Sequence, residues 1–336
     1  WTQYKDVDKQ FKGLVVGAQY TLVEEKAPEG YMLMEDKTFT VTNEWRQQIV
    51  AEDMPILGTI KVKKTGEALT GKTTDDDGNM TFQYENKPLS GVTIALYADA
   101  DILSPDKSID LETGEIKVLY KKGTKIAEKV TDKSGIAEFT DLPLGDYYVQ
   151  EVKTIDGYTL NANRYRKSIT QQDFDEQTQT IEIAEIDIDN KRQTVDIETV
   201  KKDTESQEAL AGAKIGIKAD EPIVAYDGTV LVNEGETIEV VETSSSKGEK
   251  GKASFTDTLP MSEYIVYEVD APEGYYKSDK EYYVNTYRID NETEKFEFSA
   301  EFEDKETEIR IYKRDDDTDV DLSNVTFRLY EGTREE

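Results

Sequence analysis

The chain has 336 residues, enough for two to three domains of ordinary size. Its 72 Asp and Glu outnumber 41 Lys and Arg, a formal charge of -31, which argues against nucleic acid or an anionic membrane surface as a partner. There is no Cys and no His, which removes disulfides, thiol nucleophiles, Ser-His-Asp triads and His-ligated metals together.

Low hydrophobic content (36%) would suit disorder, but 20 Tyr, 10 Phe and many short alternating runs predict small folded β-domains with modest cores. No apolar run approaches membrane-spanning length, so no membrane insertion is expected.

In chain order, residues 1–57 read as the C-terminal part of a β-unit. Tyr20-Thr21-Leu22-Val23-Glu24 predicts one strand, Thr38 to Thr42 a second and Gln48 to Asp53 a third. Residues 58–192 read as a complete unit opening on Thr59 to Lys64. An inserted hairpin follows around Asp75 to Tyr84, then a long polar loop from about Ala98 to Glu115. Its Tyr147-Tyr148-Val149-Gln150-Glu151 repeats the Tyr20 stretch, and a strand ending at Asn190 closes it. Residues 193–306 repeat that plan, with Val195 to Lys201 first, Tyr264-Ile265-Val266-Tyr267-Glu268 in the middle and Phe298 to Asp304 last. Residues 307–336 read as the N-terminal part of a further unit, with Ile309, Ile311 and Lys313 alternating and a strand over Val325 to Tyr330. The fold class expected is all-β, a tandem array of antiparallel sandwiches.

Three positions per complete unit are polar yet fall on the core-facing phase of their strands. They are Lys64, Glu151 and Asn190, then Lys201, Glu268 and Asp304. A desolvated Lys loses its proton more readily and becomes a nucleophile; a desolvated Glu holds its proton and can act as an acid. Together they point to attack of the amine on the Asn190 amide or the Asp304 carboxyl, an intramolecular isopeptide bond made once and not turned over. The competing reading is an ordinary buried salt bridge that never reacts. Asp75-Asp76-Asp77-Gly78-Asn79 and Asp315-Asp316-Asp317 lack the spaced ligands of a calcium loop and read as solvated turns. No metal and no cofactor is expected.

The Tyr-x-(Leu/Val)-x-Glu…Gly-Tyr stretch occurs three times, and in the two complete units it lies between a strand of the form Ile-x-(Val/Thr)-x-Lys and a closing strand ending in Asn or Asp. This pattern resembles the Cna B-type domains of Gram-positive surface adhesins and pilins. The resemblance implies a prealbumin-like, reversed immunoglobulin-type sandwich stapled by a Lys to Asn/Asp bond, with Glu151 and Glu268 as catalysts. Glu24 and Asp53 match in the first unit without a Lys, and Lys313 matches alone in the last. The second copy carries Lys153-Thr154-Ile155-Asp156 where the others have Ala-Pro-Glu, a departure expected to affect the loop and not the Glu.

The resulting expectation is a monomeric stalk, secreted and cell-wall anchored, and not an enzyme in the turnover sense. The alternative is a module binding a host matrix protein, an immunoglobulin or a glycan through the enlarged second unit.

Overall fold

The structure, a computed structural model, describes residues 10–332. The N-terminal region contributes one antiparallel pair, β1 (Gln19–Leu22) with β2 (Lys37–Thr40), in which Tyr20 stacks on Phe39. The expected strand over Gln48 to Asp53 is absent: this stretch runs as an irregular segment, held by a Lys37 Nζ bond to Val50 O (2.6 Å) and by backbone contacts at Met54, Pro55 and Ile56. A strand persists only where a neighbouring strand takes its backbone N–H and C=O groups, and among the described residues none lies beside these.

The second unit begins with β3 (Gly58–Thr74), a single long strand that turns back at Asp75 to Asn79 into β4 (Met80–Pro88). Then come β5 (Thr93–Ala98), β6 (Ile102–Leu103), β7 (Val118–Tyr120), β8 (Lys125–Val130), β9 (Ile136–Leu142) and β10 (Gly145–Lys153). The unit ends with β11 (Arg164–Ile169), β12 (Phe174–Asp175), β13 (Thr180–Ile181) and β14 (Ala184–Asn190). One sheet runs β14-β3-β4 with β9 also on β3; the facing sheet runs β11-β10-β5-β8. The stretch read as a polar loop from about Ala98 to Glu115 contains β6, anchored by buried Ile102 and paired with β7 just beyond that stretch.

The third unit comprises β15 (Thr194–Asp203), β16 (Lys214–Ala219), β17 (Ile223–Val224), β18 (Val230–Val232), β19 (Thr237–Glu242) and β20 (Lys252–Ser254). It closes with β21 (Glu263–Asp270), β22 (Tyr275–Tyr276), β23 (Glu281–Asn285) and β24 (Lys295–Glu306). Its sheets, β20-β15-β24-β22 and β19-β16-β21-β23, repeat those of the second unit. Most pairings are antiparallel, but in both units the closing strand lies parallel to the opening one: β14 on β3 and β24 on β15.

Period-two burial builds these layers. Along β14, Ala184, Ile186, Ile188 and Asn190 are buried while the residues between them are exposed. Along β15, Val195, Ile197, Thr199 and Lys201 do the same against half-buried neighbours. In the second and third units the tyrosine opening the repeated stretch fills the core, and its hydroxyl stays satisfied. Tyr147 donates to Pro143 O (2.6 Å) and Tyr264 to Pro260 O (2.5 Å).

The inserted hairpin does not stay with its own unit. Met80 and Phe82 belong to the hydrophobic core of the third unit, with Leu69 and Tyr84 packed against it. Phe82 N donates to Thr258 Oγ1 (3.1 Å), Tyr84 Oη to Thr258 O (2.9 Å) and Val240 N to Asn79 Oδ1 (3.0 Å). Tyr226 N returns a bond to Leu69 O (2.8 Å). The hairpin is thus an arm clamping two sandwiches together.

Beyond β24 the expected strands at Ile309 to Lys313 and Val325 to Tyr330 do not form among the described residues. An Asp315-centred turn and a single bridge between Arg314 and Asp321 stand in their place. Most side chains there are exposed, so the alternating pattern has no sheet to pack against.

Candidate isopeptide-forming sites

Parallel pairing of first and last strands sets the geometry. On β3 and β14, Lys64 is in register with Ile188, which puts Asn190 two residues further along on the same core-facing side. On β15 and β24, Lys201 pairs with Phe302, which puts Asp304 in the same relation. The glutamates come from the facing sheets: Glu151 on β10 pairs with Ile94, and Glu268 on β21 pairs with Ile215. Each core therefore brings an amine and an acyl group from one sheet under a carboxyl from the other.

The lysine backbones are pinned alike. Lys64 N donates to Gly135 O (2.8 Å) while its carbonyl accepts from Leu89 N (2.9 Å); Lys201 N donates to Gly251 O (2.8 Å) and its carbonyl accepts from Leu210 N (2.8 Å). Gly135 and Gly251 adopt positive φ of 72° and 80°. A Cβ at Gly135 would lie 2.3 Å from Lys64 O, and one at Gly251 would lie 2.8 Å from Lys201 O. Only glycine permits the chain to pass so close to the lysine at that backbone angle.

All six polar side chains are buried, none more than 2% exposed. In the second unit Lys64 Nζ lies 3.5 Å from Glu151 Oε2 and donates to Ile188 O (3.2 Å) and Thr65 O (3.4 Å). Asn190 Nδ2 donates to Glu151 Oε1 (2.8 Å) and to Thr154 Oγ1 (2.9 Å), while Asn190 Oδ1 and Glu151 Oε2 have no hydrogen-bond partner. Desolvation holds the Lys64 ammonium below the ordinary lysine value, against the opposing pull of Glu151.

In the third unit Lys201 Nζ lies 2.7 Å from Glu268 Oε1 and 2.5 Å from Asp304 Oδ1, with the Phe302 ring 5.7 Å away. These approaches are at ion-pair distance but off hydrogen-bond directions. They leave Lys201 Nζ, Glu268 Oε1 and both Asp304 oxygens without an aligned hydrogen bond. Burial pushes the Glu268 carboxyl up, and Asp304 adds to this, while Lys201 and the Ser278 N–H (2.8 Å from Oε2) pull the other way. A carboxyl whose hold on its proton is strengthened by burial, beside an amine and a second carboxyl, is placed for acid–base chemistry.

The incomplete sets are not assembled. Glu24 is half-buried and its Oε2 accepts from Met34 N (2.9 Å), the same ten-residue reach as Glu268 to Ser278. Asp53 is half-buried, Lys313 is exposed, and among the described residues no ion pair joins Glu24 or Asp53 to a lysine.

Sequence reasoning misses Thr154, because it assigns the departure from Ala-Pro-Glu to the loop alone. The β-bulge between Glu151 and Lys153 absorbs one residue, so Thr154 turns back to the core side and is buried.

The sequence matches the family of SpaA prealbumin-like fold domains over residues 2–55, 83–185 and 195–301. The chain belongs to that family. Glu151, Lys201 and Glu268 lie inside the matched ranges, whereas Lys64, Asn190 and Asp304 lie outside them. Among solved structures, the Bacillus anthracis TIE protein is similar at 19% identity and a TM-score of 0.54. That match covers 85% of this chain and 41% of the other, so the chain spans about two-fifths of that relative's length. The shaft pilin SpaA of Lactobacillus rhamnosus GG matches at 16% identity and TM-score 0.26, covering 76% of this chain and 100% of the pilin. A streptococcal ancillary pilin matches at 17% identity and TM-score 0.28, over 87% and 76%. No curated protein sequence matches the chain. At 19% identity the likeness to the TIE protein speaks for the fold alone. Among the described residues no helix is long and apolar enough to cross a membrane.

Proposed function

We propose that the chain is a load-bearing stalk segment of a Gram-positive surface adhesin or pilus-associated protein, secreted and anchored to the cell wall. Its second and third units are closed by autocatalytic isopeptide bonds. The observation that carries this reading is the same amine, carboxyl and acyl group, fully buried and in the same register, built twice by separate stretches of sequence.

In the second unit the Lys64 ammonium gives a proton to Glu151, and neutral Nζ attacks Asn190 Cγ. The new C–N bond forms as Cγ–Nδ2 breaks, protons pass through Glu151 to the departing nitrogen, and ammonia leaves. In the third unit Lys201 attacks Asp304 Cγ with protonated Glu268 as the acid, and water leaves. Fixed geometry supplies the effective concentration that free amine and amide lack.

Mass spectrometry of the folded chain tests this. The expected mass is the calculated one less one ammonia and one water. Glu151→Gln should retain the ammonia and Glu268→Gln the water, each slowing its own bond by about a hundredfold or more. A chain of full calculated mass would refute the reading.

The alternative of a host-binding surface on the enlarged second unit loses its hairpin, whose Met80 and Phe82 are buried in the third unit.

A further inference from the structure

We infer that Thr154 is a positioning residue for the amide acceptor and matches the second unit to asparagine. The inference rests on the bond-forming reading above and concerns a residue outside the Lys, Glu and Asn set.

Asparagine and aspartate pose different problems in the same buried site. A carboxylate presents oxygens only and a protonated carboxyl a single O–H, whereas a carboxamide brings an NH2 with two hydrogens that both need acceptors once water is excluded. Glu151 Oε1 takes one, at 2.8 Å, and Thr154 Oγ1 the other, at 2.9 Å. With both hydrogens held, the amide plane is fixed and Nδ2 stays against Glu151. That is where the leaving nitrogen must receive its proton.

The third unit supplies the contrast within one chain. Aligned on the glutamates, the position of Thr154 is Ala271, and the acceptor there is Asp304, which has no amide hydrogens to satisfy. Both units carry the bulge after the glutamate, at Val152 and Val269; behind it Thr154 is buried and Ala271 half-buried. The hydroxyl is present where the acceptor is an amide and absent where it is an acid.

Thr154 takes no part in bond making. It holds Asn190 so that attack of Lys64 Nζ on Cγ expels Nδ2 toward Glu151, one ammonia leaving for each bond formed.

The test follows bond formation in chain freshly made in a cell-free reaction, quenched in acid at intervals and digested. The Lys64–Asn190 cross-linked peptide is quantified against the Lys201–Asp304 peptide of the same chain as an internal clock. Thr154→Val, isosteric but without the hydroxyl, should slow the Lys64–Asn190 bond about tenfold, the rate equivalent of one lost hydrogen bond. Thr154→Ser should restore it. In an Asn190→Asp background the Val substitution should leave the rate unchanged, and product formed there also shows that the Val chain folds.

Wild-type rate in Thr154→Val overturns the inference. So does equal slowing with Asn190 intact and in the Asn190→Asp background, or Ser as slow as Val, since each would mean packing alone. No Lys64–Asn190 product from wild type at any time would instead defeat the bond-forming reading itself, and this inference with it.

Discussion

Lys64 meets two opposing demands: an ammonium dislikes burial, and Glu151 opposite stabilises its charge. Burial is the stronger, and the Lys64 value falls below 10.5. In the unreacted chain the folded state therefore binds fewer protons than the unfolded state between the lowered value and 10.5, so this residue makes stability rise with pH across that window. The same shift governs reactivity, because only the neutral amine attacks. The proton Lys64 gives up is the one Glu151 passes to the leaving nitrogen, so the rate of ammonia release should hold level and then fall once the pair loses that proton, below 10.5, which quenched time courses in a pH series would show. A rate still climbing like that of a free lysine at 10.5 would contradict it. Glu268 behaves oppositely: burial raises it, so in the window above 4.5 the folded state holds the proton that the unfolded state releases, and an unreacted third unit loses stability as pH rises there. Pairing of Glu with Lys and Asn or Asp was legible in the sequence, because period-two alternation exposes a polar residue on an apolar phase. Thr154 was not, because a β-bulge shifts the phase and nothing in the local pattern announces it.

At the scale of elements, the β3–β4 hairpin departs most from what alternation alone suggests. Its insertion was visible from the turn signal at Asp75 to Asn79, but its destination was not. Leu69, Met80, Phe82 and Tyr84 form an apolar face that the second unit's sheets do not cover, and the third unit's core does. Phe82→Ala should cost about 3–5 kcal/mol, the usual range for removing a buried phenylalanine. The loss should fall on the third unit although Phe82 belongs to the second by sequence. Hydrogen exchange would show it as faster exchange in β19 and β21, with β5 and β10 spared; the reverse pattern would refute the clamp. The strands expected at Gln48 to Asp53 and Ile309 to Lys313 show the limit of pattern reading. Alternation gives a residue its face, but a strand also needs a neighbour along its edge.

For the whole molecule, the parallel pairing of first and last strands matters more than the count of strands. Chain enters each unit at one pole and leaves from the other, so tension on the two ends shears β3 against β14 and β15 against β24. With bonds at Lys64–Asn190 and Lys201–Asp304, that tension passes through short covalent paths and bypasses most of each domain. By the loop-closure model used for disulfides, each bond contributes on the order of 5 kcal/mol, comparable to the full stability of a small domain. In single-molecule pulling, wild type should show no extension from residues 65–189. Lys64→Met should release that segment as a step of roughly 40 nm at about 3.3–3.6 Å per residue. The same step in wild type would show that the second unit carries no bond. The hairpin clamp adds a second, non-covalent tie between the units.

The sequence alone determined the β-class and the core-facing phase of six polar residues, Lys64, Glu151, Asn190, Lys201, Glu268 and Asp304. Both follow from local alternation and from repetition, which a one-dimensional string records fully. Tertiary structure alone decided that the closing strands run parallel to the opening ones, that Glu151 and Glu268 face them from the opposite sheet, and that the hairpin of one unit completes the core of the next. It also decided that Thr154 reaches Asn190. These are questions of which surfaces meet, and they depend on partners distant in sequence whose identity no local pattern carries.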